Sequence, residues 1–590
     1  MEDASHETEA FRKKLDELYP GALNYEEAVV RVTHVLNRYG FTADSSIALV
    51  SQCRDDVVGR YVHAIDVNWK GSFNLSSFAG TVFAGKTGFT AALHHAPTNS
   101  DGKERYVVFC GPHIAIDAEG NVGPLVRRGQ KVTSSACTSL IRFRKELQSG
   151  KVDMALDPLN LEYTAFKRRM MGCTAFFGEA PDLAEMTQNC LDATLSDVRS
   201  IMEAVTPGAD ACNYAIVTGI LVHGPDDTHY LWQGDVEVVM NGKSMNLQEE
   251  VCSASRDAYT PALIRYVALK AEETSLSSQA LMAMSLQGSD ADPYASMSYA
   301  NSETPAFREK LDAFFPGALH HEEAAVRATH VLRQHGFTAQ QTMAVVAQCR
   351  DEICKPFVDA IDTNWLGSFN LSSLAGTVNA GFNGFTAAVE HAPTNADGKG
   401  RYVVFCGPHI AIDAEGNIGK VIRRGRAGVS SACGALIAFC GMLQSRKIDT
   451  SETSHEVEFT GLKRRLATEL TFFGKPPPDL VELTKLCHDA TVEDVRTIMA
   501  DVAKKKVQGE CEYAIVSGIL IHGPDGSHYF WQGSTEVVAG ASVKDLTETV
   551  RKATRDDYMP TMVRYLKKKP DGDVLCEEAI EQTPFMAEAM

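Results

Sequence analysis

Apolar and polar residues follow two spacings along the chain, and together these predict a mixed α/β fold. Residues 24–38 (NYEEAVVRVTHVLNR) carry apolar residues at helical spacing, with Asn24 as a possible cap. Residues 46–52 form a short apolar run followed by the polar cluster CRDD, as expected for a buried strand that ends in a loop. Residues 106–116 (YVVFCGPHIAI) predict two strands interrupted at Gly-Pro.

Two further segments complete the coarse prediction. SSAC at 134–137 precedes an apolar run and predicts a helix start capped by serine. Residues 214–222 and 229–233 flank the turn GPDD and predict a β-hairpin. Strands and helices thus alternate within one stretch of chain, which favours an α/β architecture.

The whole pattern occurs twice. Residues 95–121 and 391–417 differ at only two of 27 positions, and the offset of 296 also relates Cys53 to Cys349. Short solenoid repeats run to about 20–50 residues, so a repeat of this length indicates a duplicated domain.

The duplication sets the predicted domain boundaries. Repeat 1 is predicted over 1–269 and repeat 2 over 303–568. Residues 270–302 are rich in Ser, Ala and Met without a regular apolar period and predict a linker. Residues 569–590 have no counterpart in repeat 1 and predict a tail.

Composition excludes several classes of partner. The chain has 57 basic and 76 acidic side chains, a net charge of −19, which disfavours nucleic acid and anionic membrane surfaces. No window has the ~18 apolar residues of a membrane span, so membrane insertion is not expected. The 15 scattered cysteines favour a reducing compartment with free thiols. The acidic start shows neither a signal core nor a transit-peptide pattern.

Most cysteines and histidines common to both repeats have structural interpretations. Cys190 fits an apolar helix face, and His34 lies in the middle of a predicted helix. Cys212 precedes a strand, while His223 and His229 flank the hairpin turn, so we expect structural roles for these three.

Three other positions lie where a strand or helix meets a loop: Cys53, His113 and Cys137. Two thiolates and one imidazole suit zinc and leave a fourth position for water. The long spacing alone does not favour a metal site, although a helix start at Cys137 would favour its thiolate. Arg54 and Asp55 follow Cys53, and on position alone they fit a surface strand end.

Other motifs are less informative. The stretch FAGKTGF (83–89) lacks the strand–GxGxxG–helix context of a nucleotide site and predicts tight turns that allow close backbone approach. Arg127 and Arg128, matched by Arg423 and Arg424, fit either an anion patch or solvated charge.

The sequence resembles the limiting-CO2-inducible protein B family of algae and microbes. The motifs that carry the resemblance are CRDD or CRDE after a short strand, VVFCGPHIAID followed by a turn and VRRG, and then SSAC. This family is related to β-carbonic anhydrases and includes the θ-carbonic anhydrases of diatoms. The resemblance covers nearly all of both repeats. It implies an α/β fold in which tandem β-carbonic-anhydrase-like domains pair as an intrachain pseudo-dimer.

The resemblance also implies a site. One Zn²⁺ per repeat, two per chain, would be held by the family's two cysteines and one histidine; the implied ligands are Cys53, His113 and Cys137, and Cys349, His409 and Cys433. An Asp–Arg pair would stand beside each zinc; the implied pairs are Asp55 with Arg54, and Asp351 with Arg350. Zinc-bound hydroxide would attack carbon dioxide to give bicarbonate.

Around this site we expect a small apolar pocket lined by Phe83 and Phe89. His95, matched by His391, is a candidate proton shuttle, although a structural role is the simpler interpretation. The expected partners are carbon dioxide, bicarbonate and water, with further homo-oligomerisation open. Family resemblance suggests a chloroplast, stromal or pyrenoid-associated protein of a carbon-concentrating mechanism; a cytoplasmic location is the alternative.

Two other functions stay open at this stage. One is a zinc-stabilised scaffold or bicarbonate-handling partner without turnover, in which Asp55 closes the fourth zinc position. The other is a thiol enzyme with Cys53 or Cys137 as nucleophile, which is disfavoured because no base is evident beside either thiol.

Overall fold

The computed structural model describes most of both repeats. The described residues are 7–97, 99–127, 133–173, 180–206, 212–270, 303–393, 395–423, 428–451, 453, 455–470, 476–505 and 511–568. The predicted tail (569–590) lies outside these residues, and so does the predicted linker except for residue 270, which ends a helix. No helix among the described residues is both long enough and apolar enough to cross a membrane.

Repeat 1 contains nine helices and ten strands in its described part. The helices are α1 (Glu9–Leu18), α2 (Tyr25–Arg38), α3 (Gly59–Trp69), α4 (Gly85–Leu93), α5 (Thr138–Ser149), α6 (Leu161–Cys173), α7 (Leu183–Val205), α8 (Gln248–Ser253) and α9 (256–270). The strands are β1 (Leu23–Asn24), β2 (Ile47–Ser51), β3 (Ser72–Asn74), β4 (Glu104–Cys110), β5 (His113–Ala115), β6 (Pro124–Leu125), β7 (Ser134–Ser135), β8 (Cys212–His223), β9 (His229–Met240) and β10 (Lys243–Asn246).

Repeat 2 has the same order of elements. Its helices are α10 (Pro305–Phe314), α11 (His321–Gln334), α12 (Lys355–Trp365), α13 (Gly381–Glu390), α14 (Gly434–Ser445), α15 (Val457–Glu469), α16 (Leu480–Lys505), α17 (Thr547–Lys552) and α18 (Arg555–Lys568). Its strands are β11 (Leu319–His320), β12 (Thr342–Ala347), β13 (Ser368–Asn370), β14 (Gly400–Cys406), β15 (His409–Ala411), β16 (Lys420–Ile422), β17 (Val429–Ser431), β18 (Cys511–His522), β19 (His528–Ala539) and β20 (Ser542–Asp545).

Each repeat is built on an eight-stranded mixed sheet. In repeat 1 the order is β1-β9-β8-β4-β2-β3, with β10 beside β9 and β5 beside β8. Strands β3, β2, β4 and β8 run parallel, and β9 returns antiparallel to β8. Every residue of β8 is buried, as expected for a parallel strand with both faces covered. The sheet of repeat 2 repeats this topology.

The element predictions are largely confirmed. The side chain of Asn24 caps α2 by accepting a hydrogen bond from the backbone N–H of Glu26. The interruption at Gly-Pro separates β4 from β5, and the predicted hairpin is the longer pair β8–β9. The predicted serine cap of α5 is wrong, because its N-cap residue is Cys137 and the two serines form β7.

The two repeats pair within the chain as a pseudo-dimer, as predicted. One buried hydrophobic cluster contains side chains of both repeats, including Phe78 and Phe385. A guanidinium nitrogen of Arg54 donates to the backbone carbonyl of Ser372, and Arg350 donates at 3.1 Å to that of Ser76. Equivalent contacts in both directions indicate approximate twofold symmetry.

A glycine in the FAGKTGF stretch permits this close approach. Gly85 has φ +58° and lies against the backbone of the other repeat, where an added Cβ would come within 2.0 Å of the His455 carbonyl oxygen. Gly381 occupies the equivalent position against Leu159. The predicted close backbone approach at this motif is therefore confirmed, and the partner backbone is that of the other repeat.

Candidate metal centre

The site of repeat 1, called site 1 below, forms where three elements meet. Cys53 follows the carboxyl end of β2, His113 begins β5, and Cys137 is the N-cap residue of α5. Their donor atoms all lie within 4.8 Å of one another, and all three residues are buried. The separation between Cys53 Sγ and Cys137 Sγ is 3.6 Å. The fold thus brings together three residues that are distant in sequence.

The equivalent group in repeat 2 is called site 2. Cys349, His409 and Cys433 are also buried with their donor atoms within 4.8 Å of one another. The two sulfur atoms of site 2 are 3.8 Å apart. Each repeat therefore has its own cluster of two thiols and one imidazole.

The histidine of each cluster has one nitrogen engaged and one directed into the site. His113 Nδ1 is hydrogen-bonded to His223 Nε2 at 2.8 Å, whereas the buried Nε2 of His113 has no hydrogen-bond partner among the described residues. An imidazole oriented in this way by a second group is the usual arrangement of a metal-ligating histidine. His409 and His522 repeat this contact at 2.8 Å.

The pKa values of His113 and of His223 behind it shift in opposite directions. Burial alone would lower the pKa of His113, but the Cys53 sulfur and the Asp55 carboxylate raise it above its ordinary value. Burial, His229 and His113 together hold the pKa of His223 well below its ordinary range, so this ring is neutral. Burial and the neighbouring Cys137 raise the pKa of Cys53 well above the ordinary thiol value.

A histidine relay extends from each centre, which sequence reasoning missed. In repeat 1, His223 Nδ1 lies 2.8 Å from His229 Nδ1, and His229 Nε2 lies 3.3 Å from a carboxylate oxygen of Asp227. The available signal was the presence of both hairpin histidines in both repeats. Their position beside a turn gave no indication that β8, which ends at His223, pairs with β5, which begins at His113.

A buried aspartate stands beside each cluster. Asp55 Oδ2 is 3.7 Å from His113 Nε2, and the matching distance from Asp351 to His409 is 3.8 Å. Burial would raise the pKa of Asp55, but Arg127, His391 and His113 hold it well below its ordinary range. The aspartate is therefore ionised at neutral pH.

The predicted pairing of Asp55 with Arg54 is wrong. Arg127 makes the bidentate pair, with Nη1 donating to Oδ1 at 2.7 Å and Nη2 to Oδ2 at 2.9 Å. Arg54 instead donates from Nε to Glu162 at 2.8 Å and lies at the repeat interface. Adjacent residues leaving a strand point in opposite directions, which separates Arg54 from Asp55.

Repeat 2 gives the same correction. Arg423 makes the bidentate pair with Asp351, at 2.8 and 2.9 Å. Arg350 donates to Glu458 at 2.8 Å. Arg127 and Arg423 are buried, so neither belongs to a solvated surface patch; Arg128 and Arg424 lie outside the described residues.

The cavity beside the centres is lined by residues other than the two predicted phenylalanines. A cavity of about 280 Å³ lies between the repeats and is lined by residues of both, including Cys53, Asp55, Cys349 and Asp351. Its described lining does not include Phe83 or Phe89, and Phe89 packs in a separate hydrophobic cluster behind the sheet. Both centres therefore open onto one shared space.

The fold and the paired centres define a class: a duplicated α/β protein with a buried cysteine–histidine centre and an Asp–Arg pair in each half. Residues 22–240 and 318–539 match the family of Limiting CO2-inducible proteins B/C beta carbonic anhydrases. The chain belongs to this family, and the predicted resemblance is confirmed.

Solved structures give further comparisons. The crystal structure of limiting CO2-inducible protein LCIB is 27% identical over 39% of this chain and 96% of that chain, with a TM-score of 0.33. The structure of PtLCIB4, a homolog of that protein, is 23% identical over 40% of this chain and 98% of that chain, with a TM-score of 0.36. No curated protein matches this chain.

Proposed function

We propose that the chain is a zinc-dependent carbonic anhydrase that reversibly hydrates carbon dioxide to bicarbonate, with one Zn²⁺ in each repeat. One observation carries the proposal: two thiols and an unpartnered imidazole nitrogen converge in a buried site beside an aspartate held ionised by an arginine. Family membership supports the same class of reaction.

The donor set fits zinc. Zn–S bonds of about 2.3 Å at tetrahedral angles place two sulfurs about 3.8 Å apart. The Sγ–Sγ separations are 3.6 Å in site 1 and 3.8 Å in site 2. His113 Nε2 supplies a third donor that has no other described partner. When bound, zinc supplies the Lewis-acid chemistry that makes water nucleophilic near neutral pH.

The chain's own residues then position the reactants. His223 fixes the tautomer and orientation of His113 through the 2.8 Å hydrogen bond. Asp55 Oδ1 accepts from both Arg127 and the backbone N–H of Val57, whereas Oδ2 accepts from Arg127 alone among the described residues and can accept another hydrogen bond. Asp55 would use that capacity to orient the attacking water-derived hydroxyl toward carbon dioxide. Arg127 keeps the carboxylate ionised for this purpose.

The shared cavity suits small substrates. A space of about 280 Å³ admits carbon dioxide, bicarbonate and several waters, but few larger metabolites. Polar groups such as Asn74 and Ser76 line part of the cavity, which suits exchange of bicarbonate and water with the centres.

The decisive experiment is stopped-flow carbon dioxide hydration on reduced, zinc-loaded protein from about pH 6 to about pH 9, beside a chelator-stripped sample. We expect turnover that disappears with the zinc, and its loss in the double variant His113→Ala/His409→Ala. The variant His34→Ala, on α2 and away from both centres, serves as the control.

A silent scaffold is the alternative, and one observation favours it. Asp55 Oδ2 lies only 3.7 Å from His113 Nε2, so this carboxylate could itself take the fourth zinc position. Protein that holds two zinc ions and hydrates no carbon dioxide would support the scaffold and contradict the enzyme.

A further inference from the structure

The shared cavity extends from the two centres to a pair of helices, one from each repeat. Helix α3 lines it with residues at helical spacing that include His63 and Asp66, and α12 does so with residues that include Asp359 and Asp362. The edge strands β3 and β13 supply further lining residues. Titratable side chains that take no part in the centres therefore share one space with them.

A row of polar side chains connects these helices with the centres. In repeat 2, alternate residues 368, 370 and 372 line the cavity, while the residues between them are buried in the core. The extended chain continues to Ser373, which is bridged to the ligand Cys349. At about 3.3 Å per residue, the row is about 13 Å long. A polar wall in a cavity of about 280 Å³ suits a chain of waters from the centre to the far end of the strand.

An aspartate stands at the far end of the row in each repeat. In repeat 1, Ser72 Oγ donates to Asp66 Oδ1 at 2.6 Å. In repeat 2, Asp362 lies beside Ser368 in the equivalent place, and its buried Oδ1 has no hydrogen-bond partner among the described residues. Burial raises the pKa of both carboxyl groups.

The charged groups around the two aspartates differ. Lys355 Nζ of α12 lies 3.8 Å from Asp66 Oδ2, but Gly59 takes the place of this lysine in repeat 1, so α3 offers Asp362 no equivalent cation. Within α12, Asp359 raises the pKa of Asp362 and Lys355 lowers it, and with burial the pKa is about 7. A group that exchanges protons works best when its pKa is near the working pH, and Asp362 meets this condition.

The two histidines that the sequence offers as proton shuttles lie elsewhere. His95 Nδ1 is 2.6 Å from Glu352 of repeat 2, and His391 Nδ1 is 3.0 Å from Asp56 of repeat 1. Neither histidine is among the described residues that line the shared cavity. Asp362 and the polar row, by contrast, belong to that cavity.

We propose that Asp362 is the proton acceptor of the shared cavity and receives, through water, the proton that hydration releases at the centres. The inference rests on the proposed carbonic anhydrase function. One carbon dioxide and one water give one bicarbonate and one proton, so each turnover protonates the Asp362 carboxylate once. The acid then loses this proton to solvent buffer at the mouth of the cavity, beside the exposed His63 and Asp359, and the carboxylate is restored.

The test compares Asp362→Asn with the matched variant Asp66→Asn in stopped-flow hydration at about pH 8 and low buffer concentration. Asparagine keeps the shape of aspartate but accepts no proton, so Asp362→Asn should lower kcat at least about 10-fold. Its kcat/KM should stay within about 2-fold of wild type, because the proton reaches solvent after the carbon dioxide has reacted. Asp66→Asn should change neither constant by more than about 2-fold.

A small buffer separates proton transfer from damage to the centres. Imidazole at high concentration accepts protons from the cavity directly, so it should restore most of the kcat that Asp362→Asn loses. Equal losses of kcat and kcat/KM without rescue would show that the substitution disturbs the centres. An unchanged kcat at low buffer would show that the proton leaves by another route. Either result would overturn the proposal.

The proton on Asp362 is also observable without turnover. Infrared difference spectra should show a protonated carboxyl band that disappears as pH rises from about 6 to about 8 and that Asp362→Asn lacks. Absence of this band from wild-type protein would overturn the assignment. A parent chain without zinc-dependent hydration would remove the proposed function and this inference together. An active parent whose kcat is unaffected by Asp362→Asn would remove only the inference.

Discussion

Sites 1 and 2 share their three donor residue types and the bidentate aspartate–arginine pair, but they differ at two neighbouring positions. The aspartate–arginine distances match within about 0.1 Å, at 2.7 and 2.9 Å in site 1 and 2.8 and 2.9 Å in site 2. Asp56 of repeat 1 is replaced by Glu352, and Val58 by Cys354. The same centre geometry is therefore built with different immediate surroundings in the two repeats.

The outer ends of the histidine relays differ too. In repeat 1 the relay ends at His229, beside the half-exposed carboxylate of Asp227. In repeat 2 it ends at His528, where burial and His320 lower the pKa to about 4. His528 also lines a cleft of about 670 Å³ that is shared with His95 and Glu352. The outer ends of the two relays therefore have different immediate surroundings.

Loss of a ligand should give the largest effect. His113→Ala and His409→Ala each remove the nitrogen donor of one buried centre, so each variant should retain one zinc per chain and the double variant none. Metal analysis after gel filtration measures this directly. If either single variant kept two zinc ions, the ligand assignment of that repeat would be wrong, whatever the activity.

Removing the buried arginine should have the next largest effect. Arg127→Ala leaves Asp55 buried without its main partner, and breaking such a pair costs about 3–5 kcal/mol of unfolding free energy. Arg423→Ala should cost a similar amount if the two centres are energetically alike. Arg127→Lys should rescue little, because lysine cannot make the bidentate pair.

Denaturant unfolding measures these losses. Arg60→Ala is the matched control, since Arg60 forms an exposed ion pair and should cost less than about 1 kcal/mol. If Arg127→Ala and Arg423→Ala lost very different amounts of unfolding free energy, the two aspartate–arginine pairs would differ in energy despite their similar geometry.

Two equivalent aspartates of the shared cavity, Asp66 and Asp362, should make the stability of the two repeats depend differently on pH. Burial raises the pKa of Asp362 to about 7, and its Oδ1 has no hydrogen-bond partner among the described residues. Asp66, its counterpart, accepts from Ser72 at 2.6 Å and lies 3.8 Å from Lys355. The ionised form of Asp362 is therefore the less well compensated of the two.

The raised pKa of Asp362 makes the stability of the protein depend on pH. The folded pKa of about 7 lies above the ordinary 3.8, so wild-type protein loses stability as pH rises from about 4 to about 7. Asp362→Asn should remove this loss and be more stable than wild type by about 1–3 kcal/mol at pH 8, with little gain at pH 4. Asp66→Asn should gain less. Thermal unfolding at both pH values would contradict this if the Asp362→Asn gain were the same at each.

Sequence reasoning succeeded where position in the fold follows from local pattern. Cys53 and His113 each follow the carboxyl end of a strand, β2 and β4, and these neighbouring parallel strands end at the same edge of the sheet. Arg127 could not be found in this way, because its contact with Asp55 spans 72 residues and depends on the β6–β7 hairpin. The two arginines of VRRG are as typical of a solvated surface loop as of a buried ion pair. The histidine contacts between repeats depend on domain packing, which no local pattern encodes.

The exchange of Val58 and Cys354 should give the smallest effect and is the most direct test of site equivalence. Cys354 Sγ lies 3.9 Å from His522 Nε2, and burial raises its thiol pKa to about 12. The thiol is thus protonated at neutral pH and acts mainly as a small apolar group. Cys354→Val should change the unfolding free energy by less than about 1.5 kcal/mol.

The same exchange can show whether this thiol matters for zinc. Cys354, His409 and His522 place donor atoms within 4.8 Å of one another, an arrangement that Val58 excludes from repeat 1. If the thiol is only a packing group, Cys354→Val and Val58→Cys should both leave the zinc content at two per chain. Competition with a chromogenic chelator should then give similar affinities for the two centres of Cys354→Val. A drop in zinc affinity confined to site 2 would show instead that Cys354 takes part in holding the metal, and that the centres are chemically distinct.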